Sequence, residues 1–164
     1  GRPGSVIDRL GLAGTEHILE IGPGPGFFSA EMAARLTTGR LELFDVQPQM
    51  LEKARRALAS AGYHDVGFRS GDAGAGLPYP DASFDVAFLA SVLGEVPDEA
   101  ACIEALARVV RPGGQLVFVE VFGDPDRQSP DTLRELVEPR GFEFLDLTGS
   151  PLRDVVRFRR VAAP

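Results

Sequence analysis

The sequence predicts an α/β open sheet, because apolar strand segments alternate with amphipathic helical segments from His17 to Gly141. Two further observations support that class. Leu116 to Val121 is a near-continuous apolar run, as in a strand covered by helices on both faces. The last two strand segments have no helix between them. Taken in order, Val6, Ile7 and Leu10 make one face of a short helix that stops at Gly11. His17 to Ile21 is the first buried strand, broken by Gly22-Pro23-Gly24-Pro25-Gly26. Phe28, Met32, Ala33 and Leu36 follow at helical spacing and end before Gly39. Leu41 to Asp45 is the second strand. Pro48, whose fixed φ suits a first helical turn, opens a helix with Met50, Leu51, Ala54, Ala57 and Leu58 on its apolar stripe, ending at Gly62.

Val66 to Phe68 and Phe84 to Leu89 are the third and fourth strands. Between Asp98 and Val110, Cys102, Ile103, Leu106 and Val109 form one helix face, with Arg108 and Arg111 at the end where the helix dipole favours cations. Pro112-Gly113-Gly114 stops that helix ahead of the fifth strand, Leu116 to Val121. Ser129-Pro130 is an N-cap with proline behind it, opening a helix through Leu133, Leu136 and Val137 to Gly141. Phe142 to Leu147 and Val155 to Val161 are joined through Gly149-Ser150-Pro151. A connection that short pairs them antiparallel.

Composition narrows the function. At 164 residues, 44% hydrophobic and 25% charged, the chain fits one globular domain over residues 1–164 rather than a disordered one. The net charge of −7 provides no basic footprint for phosphate, which argues against nucleic acid and anionic membranes as partners. No apolar run approaches the roughly 20 residues that span a bilayer, and residues 1–14 lack the pattern of a secretory leader. Cys102, the single cysteine, cannot form an internal disulfide or a thiolate metal cluster. A cytoplasmic protein without a metal is expected.

In an open α/β sheet the ligand binds outside the carboxyl ends of the strands, where the order reverses. The turn Glu20-Ile-Gly22-Pro-Gly24-Pro-Gly26 places glycines at alternate positions, so the backbone can approach a ligand with no Cβ in the way. Asp45 ends the second strand 23 positions after Gly22, where a carboxylate can accept both hydroxyls of a ribose; it also suits a cap ahead of Pro48. A nicotinamide dinucleotide fits less well, since Phe27 stands three residues after Gly24, where that fingerprint needs Gly or Ala. The third unusual loop is Gly71-Asp72-Ala73.

These residues resemble the class I S-adenosylmethionine-dependent methyltransferases over almost the whole chain. Leu19 to Gly26 is similar to their first motif. Leu43-Phe-Asp45 with Pro48 to Leu51 is similar to the second, Gly71-Asp-Ala73 with Leu77-Pro78 to the third, and Phe84-Asp85 through Leu93 to Val96-Pro97-Asp98 to the fourth. Arg108 to Gly114 resembles the fifth, and Gly141-Phe142-Glu143 the start of the sixth strand. The resemblance implies a doubly wound, seven-stranded, mostly parallel sheet of order 3-2-1-4-5-7-6, with the last strand antiparallel and helices on both faces. It also implies S-adenosylmethionine as cofactor. Glu20, Gly22 and Gly24 would face its methionine and ribose, Asp45 the ribose hydroxyls, and Val46 and Met50 the adenine faces. Asp72 and the Ala73 amide would meet the adenine edge, and the Leu89 backbone the methionine amino group.

Methyl transfer from a sulfonium is an in-line displacement that chiefly needs alignment and exclusion of water, so a base is optional. His17 begins the first strand, at the edge away from the ligand, and His64 precedes the third; both read as structural or solvated. Glu95 after the fourth strand and Glu120 at the end of the fifth are the candidate catalytic acids. Leu89-Ala-Ser-Val92 lacks the Asn-Pro-Pro-aromatic run similar to that of enzymes acting on exocyclic amines of DNA bases, so a small-molecule acceptor is expected. The alternative is a non-catalytic S-adenosylmethionine-binding module. Only 16 residues precede His17, where similar enzymes often carry a helical lid. Either a lid lies outside this stretch, or a large substrate, a partner subunit or a second copy covers an open substrate side.

Overall fold

A computed structural model describes residues 2–162. The strands are β1 (His17–Ile21), β2 (Arg40–Asp45), β3 (Val66–Ser70), β4 (Phe84–Ala90), β5 (Val110–Val121), β6 (Phe142–Ser150) and β7 (Arg153–Arg160). The helices are α1 (Pro3–Asp8), α2 (Ser29–Ala34), α3 (Pro48–Ser60), α4 (Glu99–Val109) and α5 (Pro130–Val137). Local chemistry sets their starts. Pro48 opens α3, the Asp98 carboxylate accepts from the Ala101 N–H at 3.0 Å ahead of α4, and the Ser129 hydroxyl accepts from the Thr132 N–H at 3.2 Å ahead of α5.

The seven strands form one sheet in the order β3-β2-β1-β4-β5-β7-β6, parallel from β3 to β5, with β7 antiparallel to both neighbours. Strand alternation divides the buried side chains between two layers. Leu19, Ile21, Leu89, Leu116 and Phe118 pack with Cys102, Ile103, Leu106, Leu133 and Val137 from α4 and α5. Ile18, Leu43, Phe88, Val117 and Val119 pack with Ile7, Met32, Leu51 and Leu58 from α1, α2 and α3. The strand order reverses between β1 and β4. A crevice for a ligand is expected above that point, at the carboxyl ends of the strands.

The expected elements hold, with shifts at their ends. Pro112-Gly113-Gly114 does not separate α4 from the fifth strand. The strand begins at Val110, pairs with Phe84, then shifts register so that Gln115 pairs with Val86. The extra residues form a bulge, and a Cβ at Gly114 would come within 2.8 Å of the Asp85 carbonyl oxygen. Gly149 and Ser150 lie inside β6, so Pro151 and Leu152 turn the final hairpin and β7 starts at Arg153 rather than Val155. That earlier start matters, because it pairs Arg153 with Val121 and Asp154 with Glu120. Among the described residues no helix is long and apolar enough to cross a membrane, and no cluster of His, Cys, Asp or Glu forms a metal site.

Candidate functional site

A cleft of about 410 Å³ opens at the reversal point, within the usual size of a small-ligand site. Its floor comes from the loop after β1, its far wall from the ends of β2 and β3, and its near wall from the loop after β4. Gly22, Gly24, Asp45, Val46, Met50, Asp72, Ala73 and Glu95 all line it. The two glycines serve it differently. At Gly22 (φ +64°) a Cβ would collide with the Val92 side chain, whereas at Gly24 (φ +56°) it would meet nothing within 4 Å. Gly24 therefore lines the cleft where a side chain would meet no protein atom, in a backbone conformation that L residues rarely adopt.

The carboxylates of this edge are held by the backbone and carry no countercharge. Asp45 is 8% exposed; its Oδ1 accepts from the Gln47 N–H at 2.8 Å, and its other oxygen has no partner among the described residues. Asp72 Oδ1 accepts from the Gly74 N–H at 2.8 Å, capping the short turn Ala73–Ala75. No lysine or arginine pairs with either group among the described residues. Beyond them Val46 is exposed and Met50 half-buried, leaving an apolar surface on which a flat group can rest.

Glu20 and Leu89 lie behind the cleft wall rather than on it. Glu20 is 1% exposed and accepts a hydrogen bond from the Ser29 hydroxyl at the start of α2. Burial pushes its carboxyl up to about 8; the Ser29 bond opposes the rise and the nearby Asp45 charge adds to it. Leu89 is buried among the side chains of the α4 and α5 layer, so only its backbone can reach a ligand.

The two candidate catalytic acids separate. Glu95 lines the cleft and is exposed. Glu120 is 2% exposed and does not line it. Counting along β5 from Leu116 and Phe118, its side chain follows the α4 and α5 face, where it accepts from the Gln128 N–H at 3.2 Å. Burial raises its carboxyl to about 7, against the lowering effect of the Gln128 bond. His17 sits at the other end of β1. Its amide donates to Asp85 at 2.8 Å, its Nδ1 is 3.0 Å from the Ser83 carbonyl oxygen, and Asp85 also binds Arg111.

Sequence reasoning missed Ser91, Val92 and Gln47. Ser91 turns the chain out of β4 at φ +56°, and Val92 covers Gly22. Gln47 acts through its amide, which leaves no mark on residue type.

The geometry suits a nucleoside carrying a short polar tail. Asp45 and Asp72, each with acceptor capacity and no cation, match hydroxyl and amine donors, while Gly24 makes room for the chain. Comparison with known proteins agrees with that chemistry. The methyltransferase domain family matches residues 18–114, more than half of the 164. The chain belongs to this family, the class I S-adenosylmethionine-dependent methyltransferases, and its cofactor is S-adenosylmethionine. Among curated methyltransferases, it is 34% identical over 147 residues to the ubiquinone/menaquinone biosynthesis C-methyltransferase UbiE of Hahella chejuensis, covering 88% of this chain and 57% of that one. It is 30% identical over 161 residues to the O-methyltransferase cnsE of Penicillium expansum, covering 85% of this chain and 56% of that one. The chain thus spans somewhat over half the length of these curated relatives. In fold it is similar to a SAM-dependent methyltransferase from Aquifex aeolicus, with a TM-score of 0.89 at 21% identity over 97% of this chain and 89% of that one. The methyltransferase sheet order is the one observed here.

Proposed function

We propose that residues 1–164 form one catalytic domain that transfers a methyl group from S-adenosylmethionine to a carbon or oxygen atom of a small molecule in the cytoplasm. One observation carries the reading: Asp45, with a carboxylate oxygen unpartnered among the described residues, and Gly24, with no atom near where a side chain would stand, line one cleft at the reversal of strand order. The matched relatives act on carbon and oxygen by name, which supports those acceptor atoms.

Bound S-adenosylmethionine supplies a methyl group on a positively charged sulfur, ready for displacement. The protein provides position. Asp45 accepts the ribose hydroxyls, Val46 and Met50 take the adenine faces, and Asp72 with the Ala73 amide takes the adenine edge. The Gly22 and Gly24 backbone and the Leu89 backbone hold the methionine portion. Glu20, protonated near neutral pH, keeps a second negative charge away from Asp45. Alignment of this kind supplies about 7–11 kcal/mol in well-ordered reactions, enough to dispense with a base. Glu95 is the carboxylate placed to take a proton from an acidic acceptor; Glu120 anchors the loop before α5. Incubation with labelled S-adenosylmethionine and a panel of phenols and quinols tests the reading. Label in an acceptor supports it, whereas tight cofactor binding with no transfer favours the non-catalytic module.

A further inference from the structure

Among the described residues, four polar or charged side chains are buried: Glu20, Ser29, Asp45 and Glu120. Three of them gather around the glycine turn. The Ser29 hydroxyl, at the start of α2, donates to Glu20 Oε1 near the end of β1, and neither side chain has another hydrogen-bond partner among the described residues. The pair stands in the apolar layer of α1, α2 and α3. Glu20 alternates with Leu19 and Ile21 of the opposite layer, and Phe88, its partner across β4, packs with Ile18 and Met32. The bond also closes a loop. Its ends are nine residues apart, and between them run Gly22, Gly24 and Gly26, all at positive φ, with a proline after each of the first two. Within the turn the Gly22 N–H donates to the Phe44 carbonyl oxygen at 2.7 Å and the Gly26 N–H to that of Pro23 at 3.1 Å, while the Gly24 backbone makes no hydrogen bond among the described residues. Gly24, which lines the cleft, is therefore held from its two ends.

A hydroxyl and a carboxyl placed in an apolar layer cost desolvation that a packed apolar pair would not. What they add is direction, since a hydrogen bond fixes distance and angle where apolar contacts permit sliding. Resting on the placement of the methionine portion proposed above, we propose that Ser29 is a positioning residue for the cofactor: through Glu20 it holds the start of α2 against β1 at the spacing that presents the Gly22 and Gly24 backbone to S-adenosylmethionine. The packing around the turn fits this role. The Phe28 ring rests on Phe88 with centres 5.2 Å apart, and a Cβ at Gly26 would be in ordinary contact with Ala54 of α3 at 3.5 Å. Those contacts press α2 onto the layer, and the Ser29–Glu20 bond sets its register along β1. Without that bond the turn visits other shapes, and the apparent affinity for the cofactor falls with the fraction of chains still in the competent one.

Calorimetric titration of S-adenosylhomocysteine, beside a thermal melt of each variant, tests the proposal. Ser29→Ala should bind about tenfold more weakly, as when the competent fraction falls to about a tenth. Glu20→Met removes the acceptor at similar length and should lose about as much. Adding Ser29→Ala to it should weaken binding by no more than about twofold further, because both changes act through one bond. Glu20→Gln keeps an oxygen for the hydroxyl and should recover most of the affinity lost in Glu20→Met. Full affinity in Ser29→Ala, whatever its melting temperature, overturns the proposal and leaves the pair a packing feature. Additive losses, or Glu20→Gln binding as weakly as Glu20→Met, overturn action through this bond. If Glu20→Met does not fold, hydrogen exchange of the Gly26 amide in Ser29→Ala decides instead: faster exchange than in wild type supports a loosened turn, and an unchanged rate overturns it. The two readings fail differently. Wild type that does not bind S-adenosylhomocysteine sinks the cofactor cleft, whereas wild-type binding with undiminished affinity in Ser29→Ala sinks only the role of Ser29.

Discussion

The region around the glycine turn and the amino end of the sheet treat charge in opposite ways. At the amino end each carboxylate is engaged. Asp85 accepts from the His17 amide and from Arg111, Glu42 pairs with Arg40 at 2.8 Å, and Glu16 accepts from the amides of Ala13 and Gly14 at 2.8 Å. Around that turn, among the described residues, Asp45, Asp72 and Glu20 bind only a local amide or hydroxyl, and no arginine or lysine answers them. Glycines within the cleft edge differ in the same sense from Gly39: there a Cβ would strike the Glu16 backbone, whereas at Gly24 it would meet no atom within 4 Å. Charges and space left unfilled on one edge of a filled molecule mark where a ligand belongs.

The most drastic way to break this contrast is Gly24→Val. A branched side chain at φ +56° intrudes on the cleft, and S-adenosylhomocysteine affinity is expected to fall about a hundredfold or more, near 2.7 kcal/mol. Gly113→Ala, also at positive φ but at the amino end, should cost about 1 kcal/mol of stability and no affinity. Calorimetry and thermal melts separate the two.

Glu20 sharpens the contrast through pH. Its carboxyl ordinarily titrates near 4.5 and stands near 8 when folded, so between those values the unfolded chain holds fewer protons than the native one. Stability should therefore fall as pH rises from 4.5 towards 8, and Glu20→Gln should flatten that decline. Asp85 runs the other way. Burial tends to raise its carboxyl, but the His17 amide and Arg111 together hold it below the ordinary 3.8. Its contribution is present above that value and lost in stronger acid, so the melting difference between wild type and Asp85→Ala should close below about pH 4. Melting series across pH check both.

The smallest effects concern the acids proposed to handle protons. Glu95→Gln should lower turnover less than tenfold on whichever acceptor the labelled-methyl screen returns, as alignment-driven catalysis requires. Glu120→Gln should leave turnover within about twofold, because that side chain faces the loop before α5 and not the cleft. A loss of about 10²–10⁴-fold in either would instead identify a base.

The fold was legible because each clue was local. Alternation from His17 to Gly141, the apolar run at Leu116 and the helix-free final hairpin together specify the sheet, and the structure realises that order. The glycine turn and Asp45 were legible as chemistry because strand ends carry ligands in such sheets. Glu120 shares the α4 and α5 face with Ile21 and Phe44, which do line the cleft, but it stands on β5, beyond β4 from the glycine turn, where the Gln128 amide meets it; that lateral distance depends on sheet order and not on the local residues. Pro112-Gly113-Gly114 reads as a stop, yet forms a bulge because Val110 finds Phe84 across the sheet. Ser91 and Gln47 act through backbone geometry that residue type does not encode.

The most direct test is a calorimetric titration of S-adenosylhomocysteine onto wild type, Asp45→Ala and Asp85→Ala, beside NADH onto wild type. Loss of a hydrogen-bonded charged group at the ligand edge should weaken S-adenosylhomocysteine by about 1.5–3 kcal/mol in Asp45→Ala. Asp85→Ala should bind it within twofold of wild type, and NADH should not bind. Equal weakening in both variants, or tighter binding of NADH than of S-adenosylhomocysteine, would contradict the account.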